Sequence, residues 1–171
     1  GIQIKWNGFY PMTDSALSSA QRTLATEIDG LQALSDALGD NFERAVTKLA
    51  EISGRVIVSG MGKSGHIGSK IAATMASTGT PAQFVHPGEA SHGDLGMITS
   101  HDAVLALSWS GETVELANLI DYAKRFSIPL IALTSGADSL LGRQADICIT
   151  LPKSAEACPN GLAPTTSTTM Q

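Results

Sequence analysis

Between Ser15 and Leu38 the apolar side chains Leu17, Leu24, Ile28, Leu31, Leu34 and Leu38 recur at steps of three, four or seven. That spacing predicts an amphipathic helix, which Gly39 closes. Asp40 with Glu43 three residues later resembles a capping box, and Phe42, Ala45, Val46, Leu49 and Ile52 line one face of a second helix ended by Gly54. The pattern then changes. Short apolar runs at Arg55–Ser59, Ala82–Val85, Ala103–Leu107, Pro129–Thr134 and Ile147–Leu151 read as five strands, and the third, apolar throughout, as one buried on both faces. Between them Ile67, Ile71, Met75 and Ala76 mark one helix. Val114, Leu116, Ala117, Leu119, Ile120 and Ala123 mark another over 114–125, and Asp138–Arg143 a short third. Gly88–Ser100 reads as a Gly-rich loop carrying histidine and carboxylates.

Strands alternating with helices imply parallel pairing with right-handed crossovers. The expected fold is α/β, a three-layer, doubly wound, five-stranded parallel sheet of flavodoxin-like type with N-terminal helices. Ligands bind such sheets at the carboxyl ends of the strands, so the turns after strands one, three and five face one crevice. The leucine stripe of the first helix has to be buried on its own sheet or on another subunit, which makes an oligomer the expectation.

Composition narrows the function classes. The 171 residues are 43% hydrophobic and 16% charged, which suits one globular domain. A formal charge of -5 with no basic stripe argues against a general nucleic-acid binder. Cys148 and Cys158 lie ten apart without a CxxC, so they read as reduced thiols in a cytoplasm. No run reaches membrane-spanning length, and the N-terminus lacks the plan of an export signal. Residues 1–12 differ in character from the rest of the chain and read as an added leader, Met12 being a candidate native start. The domain is then 13–171, and because the hydroxyl cluster Thr165–Thr169 looks like a helix start, a longer parent chain is expected.

The third strand runs into Ser108–Trp109–Ser110–Gly111–Glu112–Thr113 and then a helix. Hydroxyls beside unpaired helix N–H groups make a phosphate seat without a bulky cation; the plainer alternative is that Ser110 or Thr113 only caps the helix. The first-strand turn Gly60–Met61–Gly62–Lys63–Ser64–Gly65 matches GxGxxG. A dinucleotide site wants an acidic residue roughly 20 positions on, whereas the second strand leads into His86–Pro87–Gly88. A Walker loop is excluded because Ile57 stands where its first glycine belongs. What remains is a glycine turn bringing backbone, Lys63 and Ser64 close to a ligand.

The motifs GMGKSG, STGTPAQFVHPGEASHGDLGM, SWSGET and EACPNGLAPTTSTT resemble the sugar isomerase (SIS) domain family. Within it they are similar to the D-arabinose 5-phosphate isomerases of 3-deoxy-manno-octulosonate (Kdo) and lipopolysaccharide biosynthesis. The resemblance runs from about Ser15 to Gln171. It implies phosphate contacts from Ser64, Ser108, Ser110 and Thr113, substrate contacts from Gly79, Thr80 and His86, and catalytic roles for Lys63, Glu115, Glu156 and His92. It further implies that no cofactor is required, although His86 can take zinc, and that the assembly is a homotetramer. Trp109 departs from the small polar residue common there, and a later catalytic histidine and paired regulatory modules would lie beyond Gln171.

Aldose–ketose interconversion needs a base, a hydroxyl-proton shuttle and positive charge at the enediolate oxygen, which these residue types can supply. Each also has a structural alternative. Lys63 could be a solvated loop lysine, Glu156 a turn cap, and His86 and His92 satisfied loop histidines with no third metal ligand in view. Glu112 and Glu115 would share one helical face, so at least one of them is a solvent or helix-dipole carboxylate. Cys148 reads as core and His101 as surface. Two functional alternatives stay open beside the arabinose 5-phosphate isomerase: a non-catalytic sugar-phosphate sensor, and another sugar-phosphate isomerase of the same fold.

Overall fold

The structure is a computed structural model that describes residues 15–171; the leader expected at 1–12 lies outside the described residues. Helix α1, Ala16–Ala37, starts where Ser15 Oγ accepts the Ser18 N–H at 3.1 Å. It ends at Leu38 in extended backbone. Gly39 is extended too, φ -152°, and opens α2, Asp40–Glu51, as its N-cap. The expected glycine closure and capping box are therefore both corrected. Asp40 is already helical, and with Glu43 it places negative charge in the first turn, where the helix dipole favours it.

Five strands follow: β1 Val56–Gly60, β2 Ala82–Phe84, β3 Ala103–Leu107, β4 Leu130–Thr134 and β5 Ile147–Thr150. All pair in parallel in the order β2-β1-β3-β4-β5. Between them lie α3 Gly62–Ser77, α4 Pro87–Ser91, α5 Ala117–Arg125 and α6 Leu140–Gln144, and α7 Thr166–Met170 comes last. Alternate strand residues serve opposite faces, as the pleat requires. Ile57, Val104, Ala106, Leu130 and Ala132 pack with Ala90 of α4, Leu119, Ile120 and Ala123 of α5 and Leu141 of α6. Val56, Val58, Leu105, Leu107 and Ile131 pack with Ala45 of α2 and Ala72 of α3. This is the expected three-layer sheet.

Two local expectations are corrected. The segment 88–100 is not plain loop, because α4 and a 3-10 turn at Asp94–Met97 organise it; Pro87 at the first helical position presets the backbone dihedral. The helix expected from Val114 begins at Ala117, after a 3-10 turn over Val114–Leu116.

At the opposite edge of the sheet from the carboxyl ends, the buried Asp102 ties β1 to β3. Its carboxylate accepts the N–H of Arg55 at 2.6 Å, and the N–H and hydroxyl of Thr99 at 2.8 and 3.0 Å. Helix α1 packs on α7, where buried Gly30 admits the Thr166 side chain that any Cβ would displace. The remaining stripe stays in solvent: Leu17, Leu24 and Ile28 are 67%, 62% and 63% exposed, and Phe42 and Val46 of α2 are exposed as well. Within one chain, the leucine pattern is thus only partly used.

Candidate functional site

Gly60 pairs with Leu107, so β1 and β3 leave the sheet at the same level. The chain then turns towards β2 on one side and β4 on the other. Such a reversal opens a crevice at the carboxyl ends.

From β1 the chain enters α3 through Gly62 at φ +59°, a left-handed conformation that glycine adopts without a Cβ penalty. A Cβ on Gly65 would lie 2.6 Å from the Gly60 carbonyl oxygen, so the helix starts directly over the strand end. The turn's glycines thus serve chain reversal and close packing. Lys63 and Ser64 occupy the first turn of α3, whose N–H groups have no intrahelical acceptor. Lys63 is exposed, Ser64 is half-buried, and among the described residues Lys63 forms no ion pair.

The loop after β3 is closed on itself. Buried Ser108 Oγ lies 2.7 Å from Thr113 Oγ1 and accepts the Gly111 N–H at 3.0 Å, and Ser110 Oγ accepts the Glu112 N–H at 3.2 Å. The β4–α6 connection braces it from outside. The Trp109 carbonyl accepts from Ser135 N–H and Oγ, both at 2.9 Å, and the Gly111 carbonyl accepts the Leu141 N–H at 3.0 Å. Ser108 is therefore a strut inside the loop, while Ser110 is exposed and Thr113 half-buried. Because α5 starts only at Ala117, the helical N–H groups beside this loop are those of the 3-10 turn Val114–Leu116 and, from the neighbouring strand, the first turn of α3.

Glu112 and Glu115 do not share a helical face, which corrects the expectation. Glu112 precedes the 3-10 turn, and its Oε1 accepts the Leu140 N–H at 3.0 Å, capping α6; Glu115 sits in the turn itself, exposed. Of the two, Glu115 is the carboxylate left without a structural bond among the described residues.

His86 and His92 stand at the two ends of α4, both exposed. His86 Nδ1 accepts the Gly88 N–H at 3.1 Å, which leaves Nε2 as its other ring nitrogen for a ligand. No group of three or more His, Cys, Asp or Glu converges on a metal-sized site among the described residues. A closed structural zinc centre needs four ligands and a catalytic one three, and the described residues of one chain set no such group around His86. Gly79 and Thr80 follow the C-terminus of α3, at the edge where β2 begins. A 16-residue helix spans about 24 Å, so one chain does not bring them to Ser64.

Glu156 lies in the segment after β5, and its Oε2 accepts three bonds: Thr165 N–H at 2.7 Å, Thr165 Oγ1 at 2.7 Å and Ser167 N–H at 3.3 Å. Burial alone would raise this carboxyl. The hydrogen bonds from Ser167 and Thr165 outweigh it and hold the group below the usual glutamate range. Helix α7, which these bonds anchor, packs on α1 and α3. Between the two residues, the Cys158 thiol is likewise drawn down by backbone N–H groups of Ala163, Asn160, Leu162 and Gly161. Thr165 escaped sequence reasoning. A contact spanning nine positions of irregular chain follows no periodicity, and only Thr165's place in a hydroxyl cluster hinted at it.

A family model described as the SIS domain matches residues 48–171. The arabinose 5-phosphate isomerase KdsD of Yersinia pestis is 56% identical over 153 residues, which cover 88% of this chain and 46% of that protein. Its namesake in Pseudomonas aeruginosa is 53% identical over 154 residues, 90% of this chain and 47% of that one. The chain thus spans about half the length of the curated relatives it matches. The solved structure of an Escherichia coli CFT073 protein in complex with arabinose 5-phosphate superposes with a TM-score of 0.80 at 38% identity, covering 88% of this chain and 80% of that one. With the five-stranded parallel sheet and the paired crevice loops already in place, these matches settle the family: the chain belongs to the SIS domain family.

Proposed function

We propose that this domain is an aldose–ketose isomerase interconverting D-ribulose 5-phosphate and D-arabinose 5-phosphate through an enediol, in the branch that feeds Kdo and lipopolysaccharide biosynthesis. The observation that carries the reading is the meeting, at one switch point, of two anion-suited elements: the first turn of α3 with Lys63 and Ser64, and the Ser108–Thr113 loop on the neighbouring strand. The similarity to proteins named arabinose 5-phosphate isomerase, and to a structure holding arabinose 5-phosphate, supports the choice of sugar.

In this reading the sugar's phosphate rests on the α3 N–H groups, Ser64, Ser110 and Thr113, where an anion is favoured without a dense cationic patch. Holding the phosphate orients the carbons remote from it, which supplies much of the rate. A carboxylate, Glu156 or Glu115, moves the proton between the adjacent carbons, and base catalysis of this kind contributes about 10²–10⁴-fold. Lys63 faces the enediolate oxygen, where one well-placed donor is worth about 3 kcal/mol, and His92 passes the hydroxyl proton. Gly79 and Thr80, at the far edge of the sheet, would serve the site only from a neighbouring copy. That copy would cover the exposed stripe of α1 and α2, consistent with a homotetramer. No described helix is long and apolar enough to cross a membrane, and a cytoplasmic location belongs to the same proposal.

One observation favours the sensor alternative: a Glu156 held acidic is a weak base. Proton NMR of ribulose 5-phosphate in D₂O separates the two. An isomerase exchanges the carbon-bound protons beside the carbonyl and forms arabinose 5-phosphate, and whichever of Glu156→Gln and Glu115→Gln removes the base abolishes the exchange. A sensor binds the sugar, as its line broadening reports, and exchanges nothing.

A further inference from the structure

We infer that Thr165 is the positioning residue for Glu156, and that it leaves Oε1 as the oxygen through which this carboxylate works. The inference rests on the isomerase reading above only for what Glu156 does, and the hold itself is geometric. A threonine hydroxyl has one proton to donate and two lone pairs to accept with. At Thr165 all three are committed. The proton goes to Glu156 Oε2 at 2.7 Å, and the lone pairs face the N–H groups of Ala157 at 2.8 Å and Cys158 at 3.4 Å. The backbone N–H of Thr165 adds a second bond to the same Oε2. The hydroxyl therefore clamps the carboxylate and, at the same time, the two residues that follow Glu156 in the chain.

The result is an asymmetric carboxylate. The bonds from the Thr165 N–H, the Thr165 hydroxyl and the Ser167 N–H all fall on Oε2 and none of them on Oε1, and the side chain of buried Ser167 adds to the hold on the carboxylate. Proton transfer needs its acceptor oxygen within a few tenths of an ångström of the productive place. On an irregular segment, after a strand of only four residues, Glu156 has no regular element of its own to supply that precision. Thr165 supplies it from the start of α7, which α1 and α3 hold in turn. The ionisable groups brought near by these contacts are Cys158 in the same segment and Glu27 of α1, whose Oε1 lies 3.4 Å from Thr166 Oγ1. No lysine, arginine or histidine is bonded to Glu156 among the described residues.

Thr165→Val keeps the shape and the backbone N–H and removes all three hydroxyl bonds; Thr165→Ser restores them. In the full chain, Thr165→Val is expected to lower kcat about 10- to 100-fold with KM for ribulose 5-phosphate within about twofold, and Thr165→Ser to recover wild-type kcat within about threefold. Carbon-13 NMR of glutamate labelled at Cδ reads the clamp without turnover. The Glu156 resonance titrates below the ordinary glutamate range in the wild type and in Thr165→Ser, and moves up in Thr165→Val. Unchanged kcat and an unchanged Glu156 titration in a folded Thr165→Val chain overturn the inference. Loss of KM and kcat together, unrescued by serine, does so as well, because that marks a merely structural threonine. A wild type without any isomerisation refutes the isomerase reading alone, and the Glu156 titration in the three chains then decides the clamp by itself.

Discussion

Gly111 and Gly62 both have positive φ, +73° and +59°, but their surroundings differ, which makes them a matched pair for weighing strain against space. Around Gly62 an added Cβ meets nothing within 4 Å. Gly62→Ala therefore costs only the left-handed conformation, about 1–2 kcal/mol. At Gly111 the same Cβ would overlap Ser139 Oγ, lie 2.5 Å from Ser139 Cβ and 3.0 Å from Thr134 Oγ1. Ser139 cannot simply rotate away, because its hydroxyl accepts the Gly142 N–H at 3.1 Å and donates to the Gly136 carbonyl at 2.5 Å. Overpacking of this kind adds about 1–3 kcal/mol. For a domain of this size each kcal/mol lowers Tm by about 2–4 °C, so the expectation is about 2–8 °C for Gly62→Ala and about 4–20 °C for Gly111→Ala. The loop must shift to accept the methyl group, and with it the Gly111 N–H that Ser108 holds. Arabinose 5-phosphate binding by calorimetry is therefore expected to weaken more than about tenfold. Calorimetric scans of both variants and of Gly111→Ala with Ser139→Gly, which removes the two nearest atoms, test the steric part. Equal destabilisation by the two alanines, or no recovery in the double variant relative to the sum of its singles, would refute the steric explanation.

Asp102 links stability to pH. Burial opposes its charge, yet the bonds from Thr99 and Arg55 hold its carboxyl below the usual range. A group depressed in the folded state stabilises fully above the unfolded value, about 4, and that stabilisation is lost as pH falls through the lower folded value. Asp102→Asn is expected to cost about 1–3 kcal/mol near neutrality, and the gap in Tm from wild type should narrow between pH 5 and about pH 2. A pH-independent gap would mean the charge is not what matters. On the exposed stripe, Leu24→Glu with Ile28→Glu should leave the far-UV circular dichroism intact and shift sedimentation to a smaller species; unchanged sedimentation would clear α1 of any subunit contact.

Much of the architecture was legible because periodicity reports burial directly. Ala103–Leu107 is apolar at every position, and the strand has those bounds with both faces covered, since a central parallel strand has no solvent side. The order of strands and helices dictated parallel pairing for the same reason of chain connectivity. The site was legible to the level of which turns meet: GMGKSG and SWSGET sit at the carboxyl ends of neighbouring strands, as their positions after β1 and β3 require.

What the linear chain could not carry was the direction and occupancy of individual hydrogen bonds. Ser108 and Ser110 look alike in sequence, but the first is buried as an internal strut and the second is exposed. Glu112 and Glu115 were expected on one helical face, and only the tertiary structure, by bringing the first residue of α6 against Glu112, decided that one caps a helix and the other does not. The separation of Gly79 and Thr80 from Ser64 by the length of α3, and the meeting of Glu156 with Thr165 across nine residues, arise in the same way. Local sequence encodes which elements form, because helix and strand periods are short-range. Which polar atom faces which is settled only when those elements pack, because buried donors and acceptors must then find partners wherever the fold puts them.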